Sequence, residues 1–230
     1  MCIRDRFYIG ISSIPLIISC IGLTIIFVNV LSKYLGINKN LATLIAVGTS
    51  ICGATAIVAT SPVINAKKEE TTYAIANITI FGLIAMLAYP FIAHFVFSGN
   101  DRSIGLFLGT SIHETAQVAG AGLIYAQQFY SPETLDTATI TKLIRNLSMV
   151  IVIPLMSYLY LRSKDQKNVK NYSIYSIFPL FILGFLFLGI IRTVGDYNIL
   201  NEQKALFLFD NEIWILVISI IKITSEISLG

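Results

Sequence analysis

The chain alternates long stretches without charge and short stretches dense in it. No Asp, Glu, Lys or Arg occurs in Phe7–Leu31, Leu41–Ala66, Thr71–Asn100 or Tyr172–Ile191. Each run can reach the roughly 20 apolar residues that a helix needs to cross a hydrocarbon layer. In lipid a helix satisfies its own backbone, so repeated runs of this kind predict an all-α, polytopic integral membrane protein.

The runs are not alike. Phe7–Leu31 reads as a plain spanning helix ended by the polar turn that follows Ser32. Leu41–Ala66 holds Gly48, Gly53 and Pro62 among many Ser, Thr and Ala residues. Gly and Pro weaken or kink helices, and a break at membrane depth is tolerated where the freed backbone faces protein or a wet cavity. The run "KKEE" at Lys67–Glu70 marks an emergence into water. A span over about Ala74–Phe97 follows, ending near Pro90 and His94. Ile104–Gln127 is again rich in small residues and carries His113 and Glu114. A further helix is expected to start near Ser131 or Thr134, with Pro132 in its first turn, and to run on to Leu161. Beyond it lie a basic loop, the Tyr172–Ile191 span, a polar loop and a last apolar segment from Ala205. In that segment Lys222 and Glu226 are spaced to neutralise one another.

Composition agrees with the pattern. Apolar residues make up 55% and charged residues 13%, against about 25% charged in soluble domains. Mean hydropathy is +0.76. The net charge of +3 sits in connecting loops and forms no basic stripe with exposed aromatics, so no nucleic-acid partner is expected. Cys20 and Cys52 lie in apolar runs as small hydrophobes, with no disulfide framework. The loop Arg162–Lys170 carries four cations and one acid, which places it on the cytoplasmic side. The Ser131–Thr137 and Arg192–Lys204 loops are then expected outside. The opening residues "MCIRDR" read as a sequencing or cloning scar. On that reading residues 7–230 form a single transmembrane transporter domain truncated at both ends.

Two segments carry candidate chemistry. Gly48-Thr49-Ser50-Ile51 recurs as Gly109-Thr110-Ser111-Ile112, and after a one-residue slip Thr55–Ala59 resembles Thr115–Ala119. Chance recurrence of small residues is one reading. The other is a pair of interrupted segments whose unwound backbone and helix ends form a transporter's midplane site. An acid within a membrane helix costs about 2.5–3.5 kcal/mol on insertion scales, so Glu114 either lines a polar cavity or relays protons, unless it sits at an interface. His113-Glu114-Thr-Ala-Gln117 begins like a zinc protease motif, but the fifth position is Gln and the other histidine is the distant His94. No metal site is expected. Lys142 and Arg145 lie one turn apart; they either snorkel, or attract an anion or pair with Glu114.

The motifs "SICGATAIVATSPVINAKKEE", "ITIFGLIAMLAYPFIAH", "GTSIHETAQVAGAG" and "TKLIRNLSMVIVIPLM" resemble the YeiH-like family of bacterial inner-membrane proteins, to which sulfate export is ascribed. The resemblance covers about residues 41–161 well. It implies a multi-pass helical bundle with broken or re-entrant Gly-rich segments, distantly similar to the cation–proton antiporter and bile-acid symporter folds. It also implies that about a third of the family's length, some three helices, precedes residue 7, and that Ile213–Gly230 departs from the family's closing region.

The reading is a secondary transporter, not an enzyme and without a cofactor, in the bacterial inner membrane. It would move a small anion such as sulfate or sulfite, coupled to protons, as a monomer or homo-oligomer in the bilayer. Ser50, Cys52, Gly53 and Thr55 would shape one broken segment. His113, Glu114 and Gln117 would supply polar groups from the other, with Arg145 as anion partner. The alternatives are a channel or sensor without coupled transport, and an intramembrane enzyme.

Overall fold

The computed structural model describes residues 3–163, positions 187, 191, 194–195, 198, 204–205 and 209–210, and residues 212–220. The chain divides into two compact units, Met1–Phe178 and Pro179–Gly230. The first holds eight described helices: α1 Ile3–Tyr34, α2 Lys39–Ser50, α3 Ala54–Thr60, α4 Lys68–Val96, α5 Asp101–Ser111, α6 Thr115–Phe129, α7 Pro132–Leu147 and α8 Met149–Ser163. Of the second, the described parts are the isolated helical positions 187, 191, 194–195 and 198, a two-residue antiparallel pairing of Lys204–Ala205 with Phe209–Asp210, and a helical stretch at 212–220. Among the described residues that short pairing is the one departure from an all-α reading. The Arg162–Lys170 loop beyond Ser163, most of the Tyr172–Ile191 span and the Lys222–Glu226 pair lie outside the described residues.

α1 and α4 are each long and apolar enough to cross a membrane, and α7 with α8 forms a third crossing if taken as one bent span. α1 begins at Ile3, four residues before the helix expected from the charge pattern. α4 begins at Lys68 rather than near Ala74 and runs through Pro90 to Val96. Its early start follows from Glu70, whose carboxylate accepts the Lys67 backbone N–H at 2.8 Å and so caps the first turn. The same carboxylate accepts the Asn38 amide at 2.6 Å and the Asn40 amide at 3.2 Å, tying the α1–α2 turn to α4.

α7 is the hub of the first unit, packed chiefly on α5 and α6 and also on α1. Its buried face, Thr134, Thr137, Ala138, Thr141, Lys142 and Arg145, repeats at helical spacing. Opposite lies Gly105-Leu-Phe-Leu-Gly109 on α5, a small-xxx-small pattern that lets two backbones approach closely. A Cβ on Gly109 would stand 2.6 Å from the Ala138 carbonyl oxygen, and one on Gly105 2.5 Å from the Thr137 Cβ. Ser131 occupies the N-cap of α7, but its hydroxyl meets that of Thr134 at 3.1 Å instead of a backbone N–H.

The single helix expected from Ser131 to Leu161 is divided. α7 and α8 meet at a 43° bend around Ser148. Pro154 lacks the N–H that Val150 would receive, and its ring crowds that carbonyl. One residue pair earlier, the Ser148 hydroxyl donates to the Arg145 carbonyl at 2.6 Å and its N–H to the same oxygen at 3.1 Å, tightening the turn.

Candidate functional site

Both small-residue segments break, and both break at the repeated tetrapeptide. α2 ends at Ser50 with Ile51 as its C-cap; α5 ends at Ser111 with Ile112 as its C-cap. The local bonding repeats as well. The Thr49 hydroxyl donates to Ile45 O at 2.7 Å, and the Thr110 hydroxyl donates to Leu106 O at 2.7 Å. In the first break Gly53 adopts φ +75°, a conformation that L side chains rarely reach. Its N–H returns to Gly48 O at 3.0 Å. The second break uses no glycine: Ile112 and Glu114 are simply extended, with ψ of 138° and 143°.

Every helix end leaves its last carbonyls without intrahelical partners. Here the partners are two cations from α7. Arg145 Nε donates to Ser50 O at 3.0 Å and Nη2 to Thr49 O at 2.6 Å, while Nη1 donates to Thr110 O. Lys142 Nζ donates to Ile51 O at 2.9 Å, to Ile112 O at 3.0 Å and to His113 O. The equivalent residues of the two tetrapeptides therefore share one donor group each: Thr49 with Thr110, and Ile51 with Ile112. Both cations are buried, Lys142 0% and Arg145 2% exposed. Neither snorkels. They complement the negative ends of two helix dipoles, where cations are favoured.

The groups singled out from the sequence divide around this junction. Cys52 is buried, with its thiol 3.7 Å from the Met149 sulfur. Glu114 lies against the Gly53 backbone; a Cβ on Gly53 would stand 2.9 Å from Glu114 Cγ. Glu114 also interacts electrostatically with Lys142. The Ser50 hydroxyl turns back to Val47 O at 3.1 Å, so its carbonyl, not its hydroxyl, belongs to the site. Thr55 is exposed in the first turn of α3. Gln117 sits in the first turn of α6 and faces α4, its amide nitrogen donating to Thr79 O at 3.2 Å in space left open by Gly82. His94 belongs elsewhere: its ring stacks on Phe129 with centroids 3.9 Å apart and meets the Tyr125 hydroxyl at 2.9 Å.

Among the buried polar atoms with no hydrogen-bond partner in the described residues are His113 Nδ1, Gln117 Oε1 and Asn146 Oδ1. The Asn146 amide nitrogen reaches the Thr115 hydroxyl at 3.1 Å, so this side chain sits at the start of α6. Buried polar groups are normally satisfied; the His113 and Asn146 orphans flank the second break and mark a place where polar matter fits, while Gln117 Oε1 lies against Gly82 of α4. Sequence reasoning did not find Asn146, nor the carbonyls of Thr49 and Thr110. The usable signal was the tetrapeptide repeat taken with two cations at helical spacing.

Long apolar helices, with two helix breaks held by buried cations, define a polytopic helical membrane protein. The chain belongs to the family described as "Conserved hypothetical protein 698", which it matches over residues 1–225; the YeiH-like proteins that its motifs resemble are the same family. It is 37% identical over 204 residues to the UPF0324 membrane protein SAG1125 of Streptococcus agalactiae serotype V, covering 87% of this chain and 60% of that relative. It is 38% identical over 192 residues to the UPF0324 membrane protein FN0533 of Fusobacterium nucleatum, covering 83% and 55%. The chain thus spans 60% or less of these curated relatives. No solved structure matches it. It is a bacterial membrane protein.

Proposed function

We propose that the whole protein is a secondary transporter of a small inorganic anion, such as sulfate or sulfite, coupled to protons through Glu114. The supporting observation is the convergence of both helix breaks on Lys142 and Arg145. Each helix C-terminus carries about −0.5 charge, so two of them offset about one of the two buried cations. The N-termini of α3 and α6 at the same breaks add about as much positive charge again, so the junction is net positive, and an ionised Glu114 offsets about one charge of it. Protonating Glu114 makes the junction about one charge more positive, which favours an anion. Proton and anion then arrive together for electrostatic reasons.

Arg145 acts on such an anion through its field, because three of its N–H donors are held by main-chain carbonyls. Of the unpartnered atoms, His113 Nδ1 can donate directly to an anion in the tautomer that protonates it, whereas the Gln117 and Asn146 amide oxygens only accept. The test is sulfate and sulfite flux into vesicles containing the full-length protein, as a function of pH. Glu114→Gln is expected to remove the pH dependence of flux; a variant that keeps the wild-type pH profile would rule out this coupling role.

A further inference from the structure

Lys142 can be regarded from the side of its acceptors. Three backbone carbonyl oxygens, of Ile51, Ile112 and His113, converge on one point. They come from two different helix breaks, and the point is 0% exposed. Converging main-chain carbonyls at unwound helix ends are how membrane proteins coordinate alkali cations. Three acceptors also match the three N–H donors of an ammonium, which has no acceptor of its own. A potassium ion and an ammonium group are close in size.

We propose that the Ile51, Ile112 and His113 carbonyls form a monovalent-cation site whose occupant is the protein's own Lys142 ammonium. The tether makes the junction independent of any free alkali ion. Arg145 does not fill this role, since its planar fork spreads over Ser50, Thr49 and Thr110 instead of concentrating at one point. Removing the Lys142 side chain while keeping the carbonyls uncovers a site for a free cation. The site follows from the carbonyl geometry alone and stands whether or not the protein transports anions.

The full chain is purified in detergent as wild type and as Lys142→Ala, and its unfolding midpoint is measured in KCl, NaCl, n-propylammonium chloride and N-methylglucamine chloride at equal ionic strength. The wild type is expected to be indifferent to the choice of cation. Lys142→Ala is expected to unfold at lower temperature and to regain roughly 5 °C or more, saturably, with potassium or propylammonium. Equal responses of the two proteins, or no rescue of the variant, would overturn the proposal, as would a saturable alkali requirement in the wild type. If Lys142→Ala cannot be recovered, Lys142→Gln is purified in parallel in KCl and in N-methylglucamine chloride. A several-fold higher yield of monodisperse protein in KCl supports the site, and equal yields overturn it.

Discussion

Thr49 and Thr110, 61 residues apart in the chain, give their carbonyl oxygens to the two terminal nitrogens of a single guanidinium, that of Arg145. They hold the same place in a repeated tetrapeptide, and each closes its helix with the same hydroxyl bond. One side chain thereby fixes the distance between two helix breaks that have no covalent reason to meet.

That relationship makes Arg145, like Lys142, a sensitive residue of α7. A buried carbonyl left without a donor costs about 1–3 kcal/mol, and Arg145→Ala strands three. The expected loss is at least about 3 kcal/mol, read as a lowered unfolding midpoint in detergent. Arg145→Lys should recover little of it, because one ammonium cannot span both threonine carbonyls. A lysine variant as stable as wild type would show that charge alone suffices.

Gly53 tests the first break. Its φ of +75° strains any L side chain, at about 1–3 kcal/mol, and a methyl there crowds Glu114 Cγ. Gly53→Ala is expected to lower stability by that amount. Gly22→Ala on α1, where nothing lies within 4 Å, should be neutral or stabilising by up to about 1 kcal/mol. Equal thermal shifts for the two variants would contradict the account of the break.

Gly82 and Gln117 should behave as one unit. A methyl on Gly82 would land on the Gln117 amide and drive it from the Thr79 carbonyl. Gly82→Ala, Gln117→Ala and the double variant therefore form a cycle with an expected coupling of at least about 0.5 kcal/mol. Additive losses in thermal unfolding would mean that the two do not share the space.

The His94–Tyr125–Phe129 cluster is a separate structural feature on α4 and α6. Tyr125→Phe removes a hydroxyl bond at a side chain only 1% exposed, for an expected loss of about 1 kcal/mol. Anion flux through the whole protein should be unchanged. A Tyr125→Phe variant that folds normally but loses flux would place this cluster in the pathway.

What could be read from the sequence follows from where information is local. Charge-free runs announce the apolar helices α1 and α4, and the tetrapeptide repeat announces two equivalent breaks. Gly53 signals the first break through its own backbone. The second carries no such signal, because Ile112 and Glu114 merely adopt extended angles open to any residue. The fates of Lys142 and Arg145 were also invisible locally. On one helix their spacing suits snorkelling, and only the tertiary packing of the first unit brings six orphan carbonyls within reach. Pro90 lies inside α4, within the span expected to reach Phe97. The bend that mattered came at Ser148, ahead of Pro154.

The central claim is that the junction of two broken helices serves coupled movement of an anion. It is tested most directly by loading vesicles containing the full-length protein with buffer, imposing a pH gradient, and following radiolabelled sulfate and sulfite. Accumulation of either anion above its external concentration, collapsing when the gradient is dissipated, is the predicted result. Flux that only ever equilibrates the anion across the membrane, whatever the gradient, would contradict it and favour a channel.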